Sequence, residues 1–263
     1  MIAGACMHSS SVDRSLALER GAPVKVFSAA GRIRIVSWSR DSVRVEGHTG
    51  RGEQFFWLGD ARGVKLGVLQ GVPGRLAQPS DFTIHVPATS SVAVKGARTD
   101  ITADGVNGFF YTVSGEIRIT GVTHDVQAEA VAGPIAFDGT AAWLRARTAS
   151  GSISLTGSAQ DAAAATVSGG VTVTLKNLAR LEVETMSGSL TISPMFLPGA
   201  LAHIDSHDGP VHVALDDSSY TRVEVERAMA GSMDQRRVIT IGHGATPASL
   251  RVSTFSGTVD VRP

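Results

Sequence analysis

RLEVETMSGSLTIS, Arg180 to Ser193, alternates apolar and polar residues on either side of a Ser-Gly pair. Period-two alternation marks a strand with one face on a core and the other in water. The stretch therefore reads as two short strands joined at a glycine corner. The pattern returns as LRARTASGSISL, AAAATVSGGVTV and LRVSTFSGTVDV. From Gly115 the corner glycines recur at intervals of 18, 18, 18, 19 and 21 residues, then 48. A fixed period of this size is the signature of stacked supersecondary units.

Two strand segments in about 18 residues leave no room for a propeller blade or a helix. Stacked as a coil, each turn lays its strands beside those of the next, giving parallel sheets with strands about 4.8 Å apart. The expected fold is all-β: a right-handed β-solenoid or β-helix-like stack of two-strand turns, with a less regular N-terminal β region. One turn alone buries too few aliphatic side chains to offset its backbone entropy, so the turns must stack to fold.

The interior columns follow from the register. After the corner they are Ile117 and Ile119, Ile135 and Phe137, Ile153 and Leu155, Val171 and Val173, Leu190 and Ile192, Val211 and Val213, and Val259 and Val261. Before the corner they include Leu144, Leu181, Val183, Ile204, Leu250 and Val252. The turn through Ala162 and Ala165 is the thinnest. The three extra residues before Gly209 fall in PMFLPGA. The long interval before Gly257 leaves room for two turns and a loop, with SSYTRVEVERAMAG and QRRVITIG supplying strands.

Working back toward the N-terminus, Asp81 to Val94 gives two alternating strands around Pro87, a residue compatible with a strand end. Between Gly50 and Ser80 the pattern frays into a hairpin insertion or end cap, with Val64, Leu66 and Val68 on one strand. The cluster Phe55, Phe56 and Trp57 is expected to plug the core, since exposing it would leave a sticky patch. Ser15 to Gly47 alternates, and Gly31 with RIRI is a looser copy of the corner. The organisation expected is a disordered or processed tail over 1–14, an N-terminal β region over 15–94 and a regular solenoid over 95–263, read as one continuous domain.

Composition excludes several functions. The 24 basic and 24 acidic residues balance, so no long-range field recruits nucleic acid or anionic membrane. Arg32, Arg34, Arg40 and Arg44 read as a solvated strand face. The single cysteine, Cys6, builds no disulfide framework and leaves the redox compartment unread. MIAGAC is too short for a secretory signal, and fits a lipidation site only loosely. No apolar run approaches the roughly 20 residues of a membrane-spanning helix.

TVSGEIRITG, TASGSISLTG, TMSGSLTIS and the closing TPASLRVSTFSGTVDVRP, together with GRIRIVSWSRDSVRVEG, resemble a bacterial family of β-strand-repeat proteins regarded as candidate adhesins, a domain of unknown function. The resemblance implies a β-solenoid-like fold, frequent export to the cell envelope and no established enzyme activity. It supplies no catalytic residues to carry over. An extracytoplasmic location, in the periplasm or at the surface, follows from the resemblance; the missing signal peptide leaves a cytoplasmic one open.

The chemistry concentrates on one outward face. Glu182, Glu184, His203, Asp205, His207 and Asp208 converge on two adjacent turns. In HIDSHDGPVH, residues His203, Asp205 and His207 stand at i, i+2 and i+4, which a strand points to one side. Such a set can hold zinc or another divalent ion, while Glu182, Glu184 and Asp208 flank it as a surface binding cluster; paired acids also suit glycoside chemistry. An ordinary polar face accounts for the same residues. Thr112, Thr148, Thr166, Thr185 and Thr254 form a ladder expected to satisfy backbone groups at the bend; a flat threonine face also suits ice or sugar. The Ser-Gly pairs occur once per turn and are too regular to be nucleophiles.

The function expected is a non-enzymatic adhesin-like or scaffold module, with protein or glycan at the cell surface as partner and no cofactor unless the histidine face takes a metal. A polysaccharide-binding or polysaccharide-acting β-helix and a metal- or pH-responsive module at His203, Asp205 and His207 are the alternatives. Oligomeric state is open: Phe255 and Val259 would expose a sheet edge unless the Met229 to Gly244 segment or another chain covers it.

Overall fold

The structure, a computed structural model, describes residues 9–69, 76–216, 220–229 and 232–263. Every regular element among them is a strand, and no helix is long and apolar enough to cross a membrane. Cys6 lies outside the described residues. The chain forms two compact units that divide between Gly121 and Val122.

The first unit contains β1 (Ser11–Ala17), β2 (Val24–Trp38), β3 (Ser42–His48), β4 (Gln54–Asp60), β5 (Gly63–Leu69), β6 (Ser80–Pro87), β7 (Ser91–Asp104), β8 (Asn107–Thr112) and β9 (Ile117–Val122). Long β2 and β7 run parallel through their length, Val24 facing Val92 and Ile33 facing Ile101. Each serves two sheets. Their first halves pair with β5 and β8, their second halves with β6 and β9. Gly31 makes the passage within β2: at φ 112 it lies so close to Ser80 that a Cβ would sit 1.9 Å from the Ser80 carbonyl oxygen. Both sheets begin on antiparallel strands, β4 on β5 in one, and β1 on β3 on β6 in the other.

Three points differ from the expectations here. Ser11 to Arg14, placed in the tail, already belong to β1. The boundary expected at 94/95 falls inside β7. The aromatic cluster is not a buried plug. Phe55, Phe56 and Trp57 are half-buried because β4, among the described residues, is an edge strand with β5 as its one neighbour. Phe55 covers Phe82 at 5.6 Å between ring centroids, and Phe56 lies 6.4 Å from Phe27. The arginine face is solvated as expected: Arg32 reaches Asp81, Arg44 reaches Asp13 and Glu46, and Arg40 lies over Trp38.

The second unit carries β10 (Asp125–Ala130), β11 (Ile135–Thr148), β12 (Ile153–Thr166), β13 (Val171–Lys176), β14 (Leu178–Thr185), β15 (Leu190–Ile192), β16 (Phe196–Ser206), β17 (Val211–Ala214), β18 (Thr221–Met229), β19 (Ser232–Ile241), β20 (Ala248–Thr254) and β21 (Val259–Arg262). The architecture is β-solenoid-like. Ile135 faces Ile153, which faces Val171, then Leu190, Val211 and Val259, all in parallel. In the strands before the corner, Leu144 faces Ala162, then Leu181, Ala202 and Leu250. These columns are almost wholly excluded from solvent, apart from Val259 and Val261 on β21, which are half-buried.

Irregular intervals are absorbed away from the corner. One extra residue is Asn177, which takes φ 59, a left-handed conformation that asparagine tolerates better than most residues. The three before Gly209 open a register shift between β14 and β16: Leu178 faces Phe196, but Arg180 faces Leu201. The long interval differs from the two turns expected. β16 pairs directly with β20 and β17 with β21, while β18 and β19 form an antiparallel hairpin whose β18 lies beyond β20. Period-two alternation is the same in parallel and antiparallel strands, which is why the sequence pattern does not separate the two arrangements.

Candidate functional site

At four of the corners the backbone and a threonine hydroxyl are locked together. The amides of Gly151, Gly169, Gly188 and Gly257 donate to Oγ1 of Thr148, Thr166, Thr185 and Thr254 at 2.9–3.0 Å. Thr148 Oγ1 in turn donates to the Gly133 carbonyl at 3.2 Å, one turn below. The threonine ladder is thus buried and spent on the bend, as expected. It presents no hydroxyl face for ice or sugar.

What the corner does present is the residue two positions before each glycine. That position is Val131, Ala149, Val167, Met186, His207 and Phe255 in successive turns. Inter-turn hydrogen bonds stack it, with Val167 N–H donating to the Ala149 carbonyl and Ser187 N–H to the Val167 carbonyl. Val131 is 42% exposed, Val167 54%, Met186 53% and Phe255 47%. The result is an apolar rib along the corner. The signal for it was in the sequence: a position with no core to face still carries Val, Met and Phe.

Beside the rib runs the outward face of the strands before the corner. Exposed Glu182 and Glu184 stand in register with His203 and Asp205, as expected, and His203 and Asp205 with Arg251 and Ser253. Glu129 likewise faces Arg147. On the other side of Glu182 and Glu184 lie only Ala163 and Ala165. The nearby cations are engaged elsewhere: Arg251 lies 3.7 Å from Glu224, and Asp161 gathers Arg145 at 3.2 Å and Arg180 at 3.9 Å. Arg145 also lies over the Trp143 ring at 5.0 Å. No ion pair neutralises Glu182, Glu184 or Asp205 among the described residues.

His207 does not join His203 and Asp205. β16 ends at Ser206, so strand alternation stops short of it, and His207 belongs to the rib. Its ring stacks on Phe255 at 4.8 Å between centroids, and its Nδ1 lies 2.9 Å from Asp208. Ser256 donates to the same Asp208 carboxylate at 2.5 Å. That hydrogen bond, with a smaller contribution from His207, holds the Asp208 carboxyl below its usual range. Among the described residues, no three His, Cys, Asp or Glu side chains are grouped to hold a metal ion.

The family profile of Toastrack DUF4097 matches residues 76–262, most of the chain. A search of curated proteins finds no match. Among solved structures, the chain is similar to a candidate adhesin from Bacteroides fragilis at 14% identity, covering 98% of this chain and 99% of that one with a TM-score of 0.47. A candidate cell adhesion protein from Clostridium sporogenes is similar at 9% identity, covering 96% and 99%, with a TM-score of 0.27.

Proposed function

We propose that this chain, which belongs to the Toastrack DUF4097 family, is a non-enzymatic interaction module of the cell envelope that holds a partner protein along its corner rib. The partner segment presents apolar side chains flanked by lysine or arginine. One observation carries this reading: exposed Val167, Met186 and Phe255 lie beside Glu182, Glu184 and Asp205, which have no ion-pair partner among the described residues. Scattered exposed aliphatics are ordinary, but a row repeating at the strand spacing of about 4.8 Å, broken between Met186 and Phe255 by His207, whose ring stacks on Phe255, is a patch of the kind that marks an interaction site. The bank of acids would steer and align a basic segment more than it adds raw affinity.

The test is binding to immobilised peptides that combine apolar residues with either basic or acidic ones, run beside a glycan array. Apolar-basic peptides are expected to bind, more weakly as salt rises. Met186→Ser with Phe255→Ser should abolish binding, and Glu182→Gln with Glu184→Gln should weaken it and flatten the salt dependence. Glycan hits without peptide hits would replace this reading with the polysaccharide one. Equal binding of acidic and basic peptides would remove the role given to the carboxylates.

A further inference from the structure

The second unit finishes its two sheets differently. One ends on antiparallel β19, while the other stops at β21, which among the described residues pairs only with β17. Val211 N–H donates to the Thr258 carbonyl and Leu215 N–H to the Arg262 carbonyl. Because backbone groups alternate sides along a strand, the N–H and C=O of Val259 and Val261 point to the opposite, open edge. The side chains are unfinished in the same sense. Val259 and Val261 are half-buried, whereas Val211 and Val213 beneath them are 0% and 2% exposed.

We propose that this edge pairs with a second copy of the chain, β21 against β21 in antiparallel fashion about a two-fold axis, with Val261 opposite Val261. Charge selects both the partner and the register. Residues that turn their backbone to the edge must meet residues that do the same, which leaves few alignments. Centring the axis on Asp260 would set two carboxylates face to face. Centring it on Val261 sets Asp260 opposite Arg262 of the other copy, twice. These are the wide, non-hydrogen-bonded positions, where opposing side chains come closest. Within one copy, Asp260 already lies 2.6 Å from Arg262 and 3.8 Å from His212, so both charges stand on the outward face where the cross-strand pairs would form. The two Val261 side chains would extend the apolar column of Val173, Ile192 and Val213 into the partner.

The edge is four residues long, so the dimer is expected to be weak. Sedimentation velocity up to about 1 mM protein, a range suited to weak specific association, should show a concentration-dependent monomer–dimer equilibrium. Asp260→Arg alone and Arg262→Asp alone each place like charges opposite one another, and each should raise the dimer dissociation constant at least tenfold. Mixing the two singly substituted chains should restore dimerisation as a mixed dimer, and so should both substitutions in one chain. All of these positions are at the surface, and unchanged melting temperatures will show that the variants fold. A protein that stays monomeric throughout, its edge merely blunted by charge, would overturn the proposal. So would a dimer indifferent to either single substitution.

Discussion

The amide of Gly188 donates to Thr185 Oγ1 at 2.9 Å, and the same glycine lies so close to Gly169 that a Cβ would stand 1.8 Å from the Gly169 carbonyl oxygen. Gly151, Gly169, Gly209 and Gly257 each meet the glycine one turn below in the same way. Glycine is required here by the approach of two backbones; this column does not depend on positive φ.

Gly169→Ala should therefore be severely destabilising, about 3 kcal/mol or more, since a methyl group in a packed backbone contact forces the whole corner apart. Gly170→Ala is its control. A Cβ there meets nothing closer than Ser189 Oγ at 3.3 Å, and its cost should stay below about 1 kcal/mol. Urea midpoints of the two variants check this, and similar losses would refute the stacking argument.

Thr185→Val keeps the shape of the side chain but leaves the buried Gly188 amide without its acceptor. The expected loss is about 1–3 kcal/mol, the cost of an unsatisfied buried donor. Thr185→Ser retains the oxygen and should recover most of that loss in the same denaturation assay.

Leu181→Ala should cost about 2–5 kcal/mol, because Leu181 is 1% exposed and its removal opens a cavity in the column. Ala164→Leu, in the thin turn next to it, is expected to cost less, about 1–3 kcal/mol by overpacking. Equal thermal losses would contradict the assignment of that turn as the narrow one.

The Asp208 carboxyl is held below its usual range by Ser256 and, less strongly, by His207. A lowered folded-state value means that the ionised form stabilises the fold above the unfolded value of about 3.9, and that this contribution fades as pH falls through the folded value. Asp208→Asn should melt slightly below wild type at neutral pH and converge with it in acid. A gap that persists in acid would exclude ionisation as its source.

Much of this fold is legible from two sequence features, the glycine interval and the period-two alternation. Together they place Ile135, Ile153, Val171, Leu190 and Val211 in one buried column, since hydrophobic burial and strand geometry are both written locally. Strand direction is not local, and so β18 and β19 look like turns until their antiparallel pairing is seen. The candidate site divides the same way. Glu182 and Glu184 beside His203 and Asp205 follow from counting residues. His207 does not, because its neighbour Phe255 lies nearly fifty positions away and the strand that would have aimed it ends one residue earlier. The rib is not written in the alternation, because its residues fall between the two strands, at the one position where alternation gives no direction.

The glycine column also governs how such a chain can change over generations. Each corner is built against the backbone of the one beneath, so a residue gained or lost there would misalign every turn above it. Asn177 and the expanded loop before Gly209 lie on the far side of the coil, and the chain leaves and rejoins the coil on that side, after Ala214 and at Ala248, to form the β18–β19 hairpin beyond β20. Length can vary there freely, and the corner acts as a fixed datum. Whole turns can be duplicated or deleted without disturbing it, whereas single residues cannot. Descendants of this sequence should accordingly differ in number of turns and in the decoration opposite the corner, while the spacing of side chains along the rib stays constant.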